Sequence, residues 1–455
     1  MEPTRENPIQ NVIAVIPARY ASIRLPGKML LPIAGKPLIL HTLERAKAAR
    51  TIDRVIVATD DERIFNAVFE SGNEAVMTRA DHKSGSDRIA EVAEGLPEGS
   101  IIVNVQGDEP LISPETIDRA VEAILQKPAR SKGENATTSS QTKKGDGPDI
   151  VTVCEPLTSL HGELLNFNVV KVVFAEDGRA LYFSRSPTPF PREASLRHGG
   201  DPNRALEQEP DLFKHFRKHI GLYVYRREYL LEFTKLPQTR LERFESLEQL
   251  RALEHGAVIK VIEAVGRSIG VDTPEDFERV KGIIETGIDF RTAMREDLLR
   301  IAEVHVESWQ QSFAGIAPDD FLAGMTVEKR LAAYSERRRD EQYGMLVAEH
   351  PEAGIVGFAD FGTPKLPGNF DAQIFSFYFL PEFQRKGLGE QLFRRCVSRI
   401  VKNGTTKLCL DSLEVSPYRA FYEKLGGKVV GRSSHKLGDK DFATVIYGWN
   451  DVSNI

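Results

Sequence analysis

The chain carries only three cysteines in 455 residues, Cys154, Cys396 and Cys409, and no two of them form a C-x-x-C pair. That spacing argues against a disulfide framework or a zinc knuckle and points to the reducing cytoplasm. No stretch approaches the ~20 consecutive apolar residues needed to cross a bilayer, so no membrane insertion is expected. The start Met1–Pro8 (M-E-P-T-R-E-N-P) is polar and has no apolar signal core. Basic excess is also missing. Lys and Arg number 60 against 66 Asp and Glu, a net charge of −6. A general nucleic-acid or anionic-membrane binder would show the opposite balance, so neither partner is expected. There is no internal repeat. What remains is a soluble globular composition long enough for two or three domains.

The hydrophobic pattern alternates short β-rich runs with longer helical stretches. Val12–Ile16 reads as a buried strand, Leu38–Ala49 as a helix, Arg54–Thr59 as a strand, about Asp61–Ser71 as a helix, and Ile101–Gln106 as a third strand ending on G-D-E-P. This is an α/β sheet covered on both faces, whose ligands sit at the carboxyl ends of the strands. Residues 129–149 are almost devoid of apolar side chains and read as a flexible surface insertion. Strand patterns resume at Val151 and continue to a helix over Pro274–Glu285. A second α/β pattern begins near Asp289, with a helix from about Glu296 to Gln311, a strand-rich middle over Tyr343–Phe361 and Gln373–Phe379, and a helix launched by Gln384–Gly389. The expected division is 1–288 and 289–455.

Ala18–Lys28 (A-R-Y-A-S-I-R-L-P-G-K) follows the first strand and places Arg19, Arg24 and Lys28 within eleven positions. Cations and free backbone N–H groups at a strand end suit a triphosphate. A basic surface loop is the plain alternative, and no G-x-x-x-x-G-K-[ST] phosphate loop is present. The full string P-A-R-Y-A-S-x-R-L-P-G-K, followed by G-K-P-L-I at Gly35–Ile39, resembles the signature of the CMP-Kdo synthetases, the 3-deoxy-manno-octulosonate (Kdo) cytidylyltransferases. T-R-A-D-H-x-S-G (Thr78–Gly85), N-V-Q-G-D-E-P (Asn104–Pro110), V-V-K-V-V (Val169–Val173) and A-L-Y-F-S-R-S-P (Ala180–Pro187) agree with it. So do H-I-G-L-Y (His219–Tyr223), E-S-L-E-Q-L-R (Glu245–Arg251) and G-V-D-T-P-E-D (Gly270–Asp276). Asn166-Phe167-Asn168 departs from the family's usual N-P-N.

The resemblance implies a nucleotide-diphospho-sugar transferase-like, Rossmann-like domain that transfers CMP from CTP to Kdo, yielding CMP-Kdo and diphosphate for lipopolysaccharide biosynthesis. It implies that Asp108 and Asp272 ligate Mg²⁺, which lowers the pKa of the sugar 2-hydroxyl for in-line attack on the α-phosphorus. By position alone, Asp272 before T-P-E-D also fits a helix N-cap, and Asp108 a turn before Pro110. Arg19, Lys28 and Arg24 would stabilise phosphate charge, with Ser22 donating a hydroxyl. Arg79 and Ser84 would read cytosine, and Gln106 the ribose or the acid sugar. Arg185, His219, Tyr223, Glu242, Glu245 and Gln249 are the candidates for Kdo. His219 and Tyr223 are expected on one strand face, and Glu242, Glu245 and Gln249 on one helix face. The family also implies a homodimer through this domain.

In the second domain, Q-R-K-G-L-G at Gln384–Gly389 follows a strand and opens a helix, a geometry that offers N–H groups to an anion. F-Y-F-L-P-E-F-Q-R-K-G-L-G resembles motif A of the GNAT acetyltransferases, and S-P-Y-R-A-F-Y-E-K-L-G-G at Ser416–Gly427 resembles motif B. The resemblance implies a GNAT α/β domain with acetyl-CoA contacting Phe379, Gln384, Arg385, Lys386, Gly387, Leu388, Gly389 and Ser416. Tyr422 would be the acid for the leaving thiolate, and the acceptor an amine of unknown identity. Ser416 stands where an Asn is common, and Gln373 near the place of a common Glu base. Two alternatives follow: a non-catalytic acetyl-CoA-binding module behind the synthetase, or a related acid sugar, 8-amino-Kdo or a sialic acid, in place of Kdo.

Overall fold

The computed structural model describes residues 11–22, 24–126, 147–157, 160–338, 342–402 and 404–453. The polar segment 129–149 lies outside them up to residue 146, as does the start Met1–Pro8. The chain forms two compact units, Met1–Val280 and Lys281–Ile455. Their boundary falls inside the helix Pro274–Thr286, eight residues before the expected one.

The first unit is built on β1 (Val12–Ala18), α1 (Leu38–Lys47), β2 (Arg54–Thr59), α2 (Glu62–Glu70), β3 (Glu74–Met77), α3 (Gly85–Glu94), β4 (Ile101–Asn104) and α4 (Pro114–Leu125). It continues with β5 (Ile150–Pro156), β6 (Lys171–Phe174), β7 (Ala180–Ser184), β8 (Arg217–Arg226), α5 (Arg240–Glu245), α6 (Gln249–Glu254), β9 (Ile259–Glu263) and α7 (Pro274–Thr286). The main sheet runs β9-β5-β8-β4-β1-β2-β3, with the β6–β7 hairpin branching from β8. β4, β1, β2 and β3 are mutually parallel, and β8 runs antiparallel between β4 and β5. β1 is buried along nearly its whole length because helices cover both faces, which explains its unbroken V-I-A-V-I run. The carboxyl ends of β1, β2 and β4 therefore open on one rim.

The second unit contains β10 (Asp289–Thr292), α8 (Leu298–Ser312), α9 (Val327–Arg337), β11 (Gly344–His350), β12 (Gly354–Gly362), β13 (Ala372–Phe379), α10 (Leu388–Lys402), β14 (Leu408–Leu413), α11 (Arg419–Lys424), β15 (Lys428–Leu437) and β16 (Lys440–Trp449). Its sheet order is β10-β11-β12-β13-β14-β16-β15. All neighbours are antiparallel except β13 and β14, which pair in parallel only at Ala372/Leu408 and Gln373/Cys409. Beyond those two pairs the strands part, leaving a wedge in the middle of the sheet. Among the described residues no helix is long and apolar enough to cross a membrane.

Candidate functional sites

The first site assembles where loops leave the strand ends. Gly27 sits at φ +67°, and the Tyr20 ring covers it so closely that a Cβ would come within 3.2 Å. The Gly27 N–H donates to the Tyr20 carbonyl at 3.3 Å, closing the loop on itself. Gly107, on the neighbouring loop, leaves no room either, since a Cβ would lie 3.0 Å from the Pro17 carbonyl oxygen. Both glycines let two backbones approach where any side chain would separate them. The Val271 N–H donates to the Asp108 carbonyl at 2.8 Å, pinning the segment before α7 against the loop after β4.

These constraints bring Asp108 and Asp272 onto one cation. The Lys28 ammonium donates to Asp108 Oδ2 at 2.5 Å, to the Val271 carbonyl at 2.9 Å and to Asp272 Oδ1 at 3.2 Å. Arg24 pairs with Asp272 Oδ2 at 3.0 Å. Burial alone would lower the Lys28 pKa, but the two carboxylates outweigh it and the net shift is upward. The helix-cap alternative for Asp272 falls away. Thr273 caps α7, taking the Asp276 N–H at 3.1 Å while Asp276 accepts from the Thr273 N–H at 2.9 Å. Asp272 is left facing Lys28 and Arg24.

Among the described residues no group of three or more His, Cys, Asp and Glu side chains is arranged to hold a metal. Two carboxylates already gathered around a positive charge nevertheless fit Mg²⁺, which takes few protein ligands and keeps water and phosphate oxygens as the rest. Glu109, beside Asp108, escaped the sequence reading. It accepts from the Ser268 hydroxyl, and burial raises its pKa to about 7.

Arg19 donates to the His82 carbonyl at 2.9 Å, joining the basic loop to the Thr78–Gly85 segment. Arg79 is exposed on that segment, Ser22 half-buried in the loop, and Gln106 donates to Asn104 Oδ1 at 3.1 Å. Ser84, expected to read the base, also starts a helix. Its Oγ accepts the Asp87 N–H at 3.1 Å and Asp87 returns the bond, a capping box that starts α3.

The sugar candidates divide. His219 and Tyr223 share a face, with rings 5.3 Å apart. Two extra residues between Ile220 and Tyr223 interrupt the ladder, and an even insertion preserves the alternation. His219 Nε2 lies 2.9 Å from Thr152 Oγ1, and burial lowers its pKa to about 3, so the ring is neutral. Glu245 accepts from the Ser184 hydroxyl at 2.8 Å and the Arg185 N–H at 2.9 Å, while the Arg185 guanidinium donates to the carbonyls of Glu245 and Phe167.

The expected single helix face does not exist. The backbone turns left-handed at Ser246 (φ +54°), splitting α5 from α6. Gln249 is buried at the start of α6. Glu242 is buried and clamped by Arg251 through bonds of 2.6 and 2.9 Å, and it also caps α5 with Thr239. It holds the fold together and is withdrawn as a sugar ligand.

The second site is a cavity of about 710 Å³ in the wedge between β13 and β14. Gln384, Arg385, Gly387, Gly389, Ser416 and Tyr422 line it, as does Phe379. Arg385 and Gly387 adopt positive φ, so the chain turns sharply into α10 and leaves the first-turn N–H groups without intrahelical acceptors. Gln384 holds the turn by donating to the Phe379 carbonyl at 2.8 Å.

The side chains of two expected contacts lie off the cavity wall. The Leu388 side chain packs in the core at 4% exposure, and Lys386 reaches over the Phe383 ring at 5.4 Å; neither lines the cavity. Gln373 accepts from the Lys365 and Leu366 N–H groups at 2.8 and 3.2 Å, so it clamps a loop. Burial pushes the Tyr422 phenol well up, keeping its proton on. Asp411, on β14, also opens on the cavity, and no motif in the sequence pointed to it.

Residues 13–262 match the cytidylyltransferase family model. The 3-deoxy-manno-octulosonate cytidylyltransferase of Trichlorobacter lovleyi is 46% identical over 280 residues, 61% of this chain and 99% of that protein. The chain belongs to the cytidylyltransferase family. The protein of the same description from Geobacter sulfurreducens is 47% identical over 274 residues, 59% of this chain and 98% of its own length. A solved CMP:2-keto-3-deoxy-manno-octonic acid synthetase complexed with CTP superposes with a TM-score of 0.50 at 38% identity, over 61% of this chain and 99% of that one. Residues 303–427 match the acetyltransferase (GNAT) family model, so this cytidylyltransferase carries a GNAT domain behind its first unit.

Proposed function

We propose that the first unit transfers CMP from CTP to Kdo, releasing diphosphate, and that the second transfers acetyl from acetyl-CoA to an amine. The observation that carries the first reading is the convergence of Asp108 and Asp272 on the Lys28 ammonium. The Kdo-directed names of relatives matched over nearly their whole length support the choice of sugar.

Asp108 and Asp272 would hold Mg²⁺, which supplies acidity to the attacking hydroxyl and neutralises triphosphate charge. Lys28, Arg24 and Arg19 fix the phosphates and stabilise charge developing on them, while Ser22 adds a hydroxyl. Arg79 donates to the cytosine carbonyl and Gln106 reaches the ribose or the sugar. A neutral His219, with Tyr223, addresses sugar hydroxyls rather than the carboxylate, beside the Arg185–Glu245 clamp and Gln249. The protein is read as a cytoplasmic homodimer, an assembly that sedimentation would check.

The test is diphosphate release from CTP, Kdo and Mg²⁺, with 8-amino-Kdo and a sialic acid as competitors. Turnover with Kdo as the preferred sugar is expected. No release with any of the three overturns the reading, and preference for a competitor reassigns the sugar. For the second unit, Gly387 and Gly389 on the cavity wall support acetyl-CoA, and the protonated Tyr422 supports transfer. Gln373, tied to its loop and unable to take a proton, favours the second reading, an acetyl-CoA-binding module without turnover. Thiol release across a panel of amines, and its loss in Tyr422→Phe, separates the two.

A further inference from the structure

Four Lys and Arg side chains line the cavity of the second unit: Arg330, Arg337, Arg385 and Lys424. α9 presents Arg330 and Arg337 to it, two turns apart on one helix face. Arg337 is committed, donating to the buried Asp360 at 2.7 Å. The Arg330 guanidinium makes no hydrogen bond or ion pair among the described residues. It is half-buried and acts electrostatically on both His305 and Tyr378. A guanidinium on a cavity wall with no protein partner is free to hold an anion through charge-assisted hydrogen bonds.

Tyr378 connects this cation to the reacting end. Its hydroxyl accepts from Trp309 Nε1 at 2.8 Å. It lies within electrostatic reach of both Arg330 and Asp411, and Asp411 in turn acts on Tyr422. The same cavity has an aromatic wall, with Trp309 4.5 Å from Phe313 and 5.8 Å from Phe321, ring centre to ring centre. The remaining cavity charges are accounted for otherwise. Lys424 pairs with Glu390 at 3.5 Å, Arg385 belongs to the glycine turn, and His435 faces Asp411.

We infer that the acceptor is a primary amine carrying an anionic group on an apolar spacer, its anion held by Arg330 and its amine beside Asp411 and Tyr422. This rests on the acetyltransferase reading. Asp411 takes a proton from the amine as nitrogen forms its bond to the thioester carbonyl carbon. The C–S bond breaks, and Tyr422 gives its proton to the departing thiolate. The products are the N-acetyl compound and free coenzyme A.

The experiment uses the full chain and matched pairs that differ in the anion: 5-aminopentanoate against pentylamine, phenylalanine against phenethylamine, and O-phosphoethanolamine against ethanolamine. Acetyl-CoA binding is measured first by calorimetry, then thiol release with each amine. The anionic member is expected to win by at least about tenfold in kcat/KM, the scale of one charge-assisted hydrogen bond. Carboxylate and phosphate pairs show which anion is meant. Arg330→Ala should reduce the preference to near unity and Arg330→Lys should restore part of it. If acetyl-CoA does not bind, the acetyltransferase reading fails and this inference with it. If acetyl-CoA binds but no amine of either kind releases thiol, the acetyltransferase reading also fails; if amines turn over but no anionic amine outruns its partner, or Arg330→Ala keeps the preference, the inference alone is overturned. Should Arg330→Ala fail to fold, the wild-type pairs decide.

Discussion

The two sites solve opposite problems. The first gathers hard charges at the rim of the parallel strands β4, β1 and β2, where two carboxylates and two cations neutralise one another before any substrate arrives. The second opens a space lined by aromatic and polar side chains inside a sheet by letting two strands part after two residue pairs. The rim site is tuned by electrostatics, so removing one charge should abolish chemistry while sparing the fold. The wedge site is held by packing, and its proposed chemistry rests on Asp411 and Tyr422 at the cavity wall.

The hardest break in this comparison is Asp108→Asn. It keeps the shape and removes one of the two charges on Lys28. Diphosphate release should fall by about 10³-fold, the upper range for loss of a preorganised electrostatic group. Acetyl-CoA-dependent thiol release should not move. An equal fall in both activities would mean that the substitution damaged the whole chain.

Next comes Glu242→Gln, which separates fold from chemistry within the first unit. Arg251 would lose a buried carboxylate partner at 2.6 Å. Breaking such a pair costs about 3 kcal/mol, because the remaining charge is stranded. The urea midpoint of the first unit should drop accordingly, while KM for the acid sugar stays at the wild-type value in the cold. A raised KM with unchanged stability would return Glu242 to the sugar site.

Tyr422→Phe sharpens the other side. It keeps the ring that packs 5.3 Å from Phe421 and deletes the proton donor. Acetyl transfer should fall by about 10²-fold in kcat with little change in acetyl-CoA affinity, as expected for lost general-acid catalysis. Equal loss of affinity would make Tyr422 a binding contact.

The contrast also explains what could be read in advance. The rim residues lie in short contiguous strings that follow strands, and a strand end fixes where its loop goes. So the meeting of Lys28, Asp108 and Asp272 could be expected from the resemblance, and the alternation of β1, α1, β2 and α2 from the hydrophobic pattern. Where the backbone breaks, periodicity in the sequence no longer reports which side chains share a face. The helix face of Glu242, Glu245 and Gln249 was lost to the left-handed turn at Ser246. Gln373 lay in the right strand, but its amide had been drawn to loop N–H groups eight and seven residues earlier in the chain. Arg330 and Asp411 belong to no motif. They matter because α9 and β14 face the same cavity, and nothing local in either segment announces that meeting.

The gentlest probe is pH, and it tests whether His219 is neutral at the sugar site. Its folded pKa of about 3 lies below the ordinary 6.5, because burial opposes the charged ring. Below pH 6.5 the unfolded chain gains a proton that the folded chain refuses. Stability therefore falls as pH drops from 6.5 toward 3, and is fully present above 6.5. His219→Gln removes this dependence while keeping a polar group near Thr152. Measured as urea unfolding of the first unit at pH 7.5 and 5.5, wild type should lose about 1 kcal/mol more than the variant on acidification, the scale of one proton over one pH unit. Sugar binding through this ring should likewise be flat from pH 6 to 8. An ionising His219, matched to the sugar carboxylate, would instead give tighter binding toward pH 6 and no excess loss of stability below it.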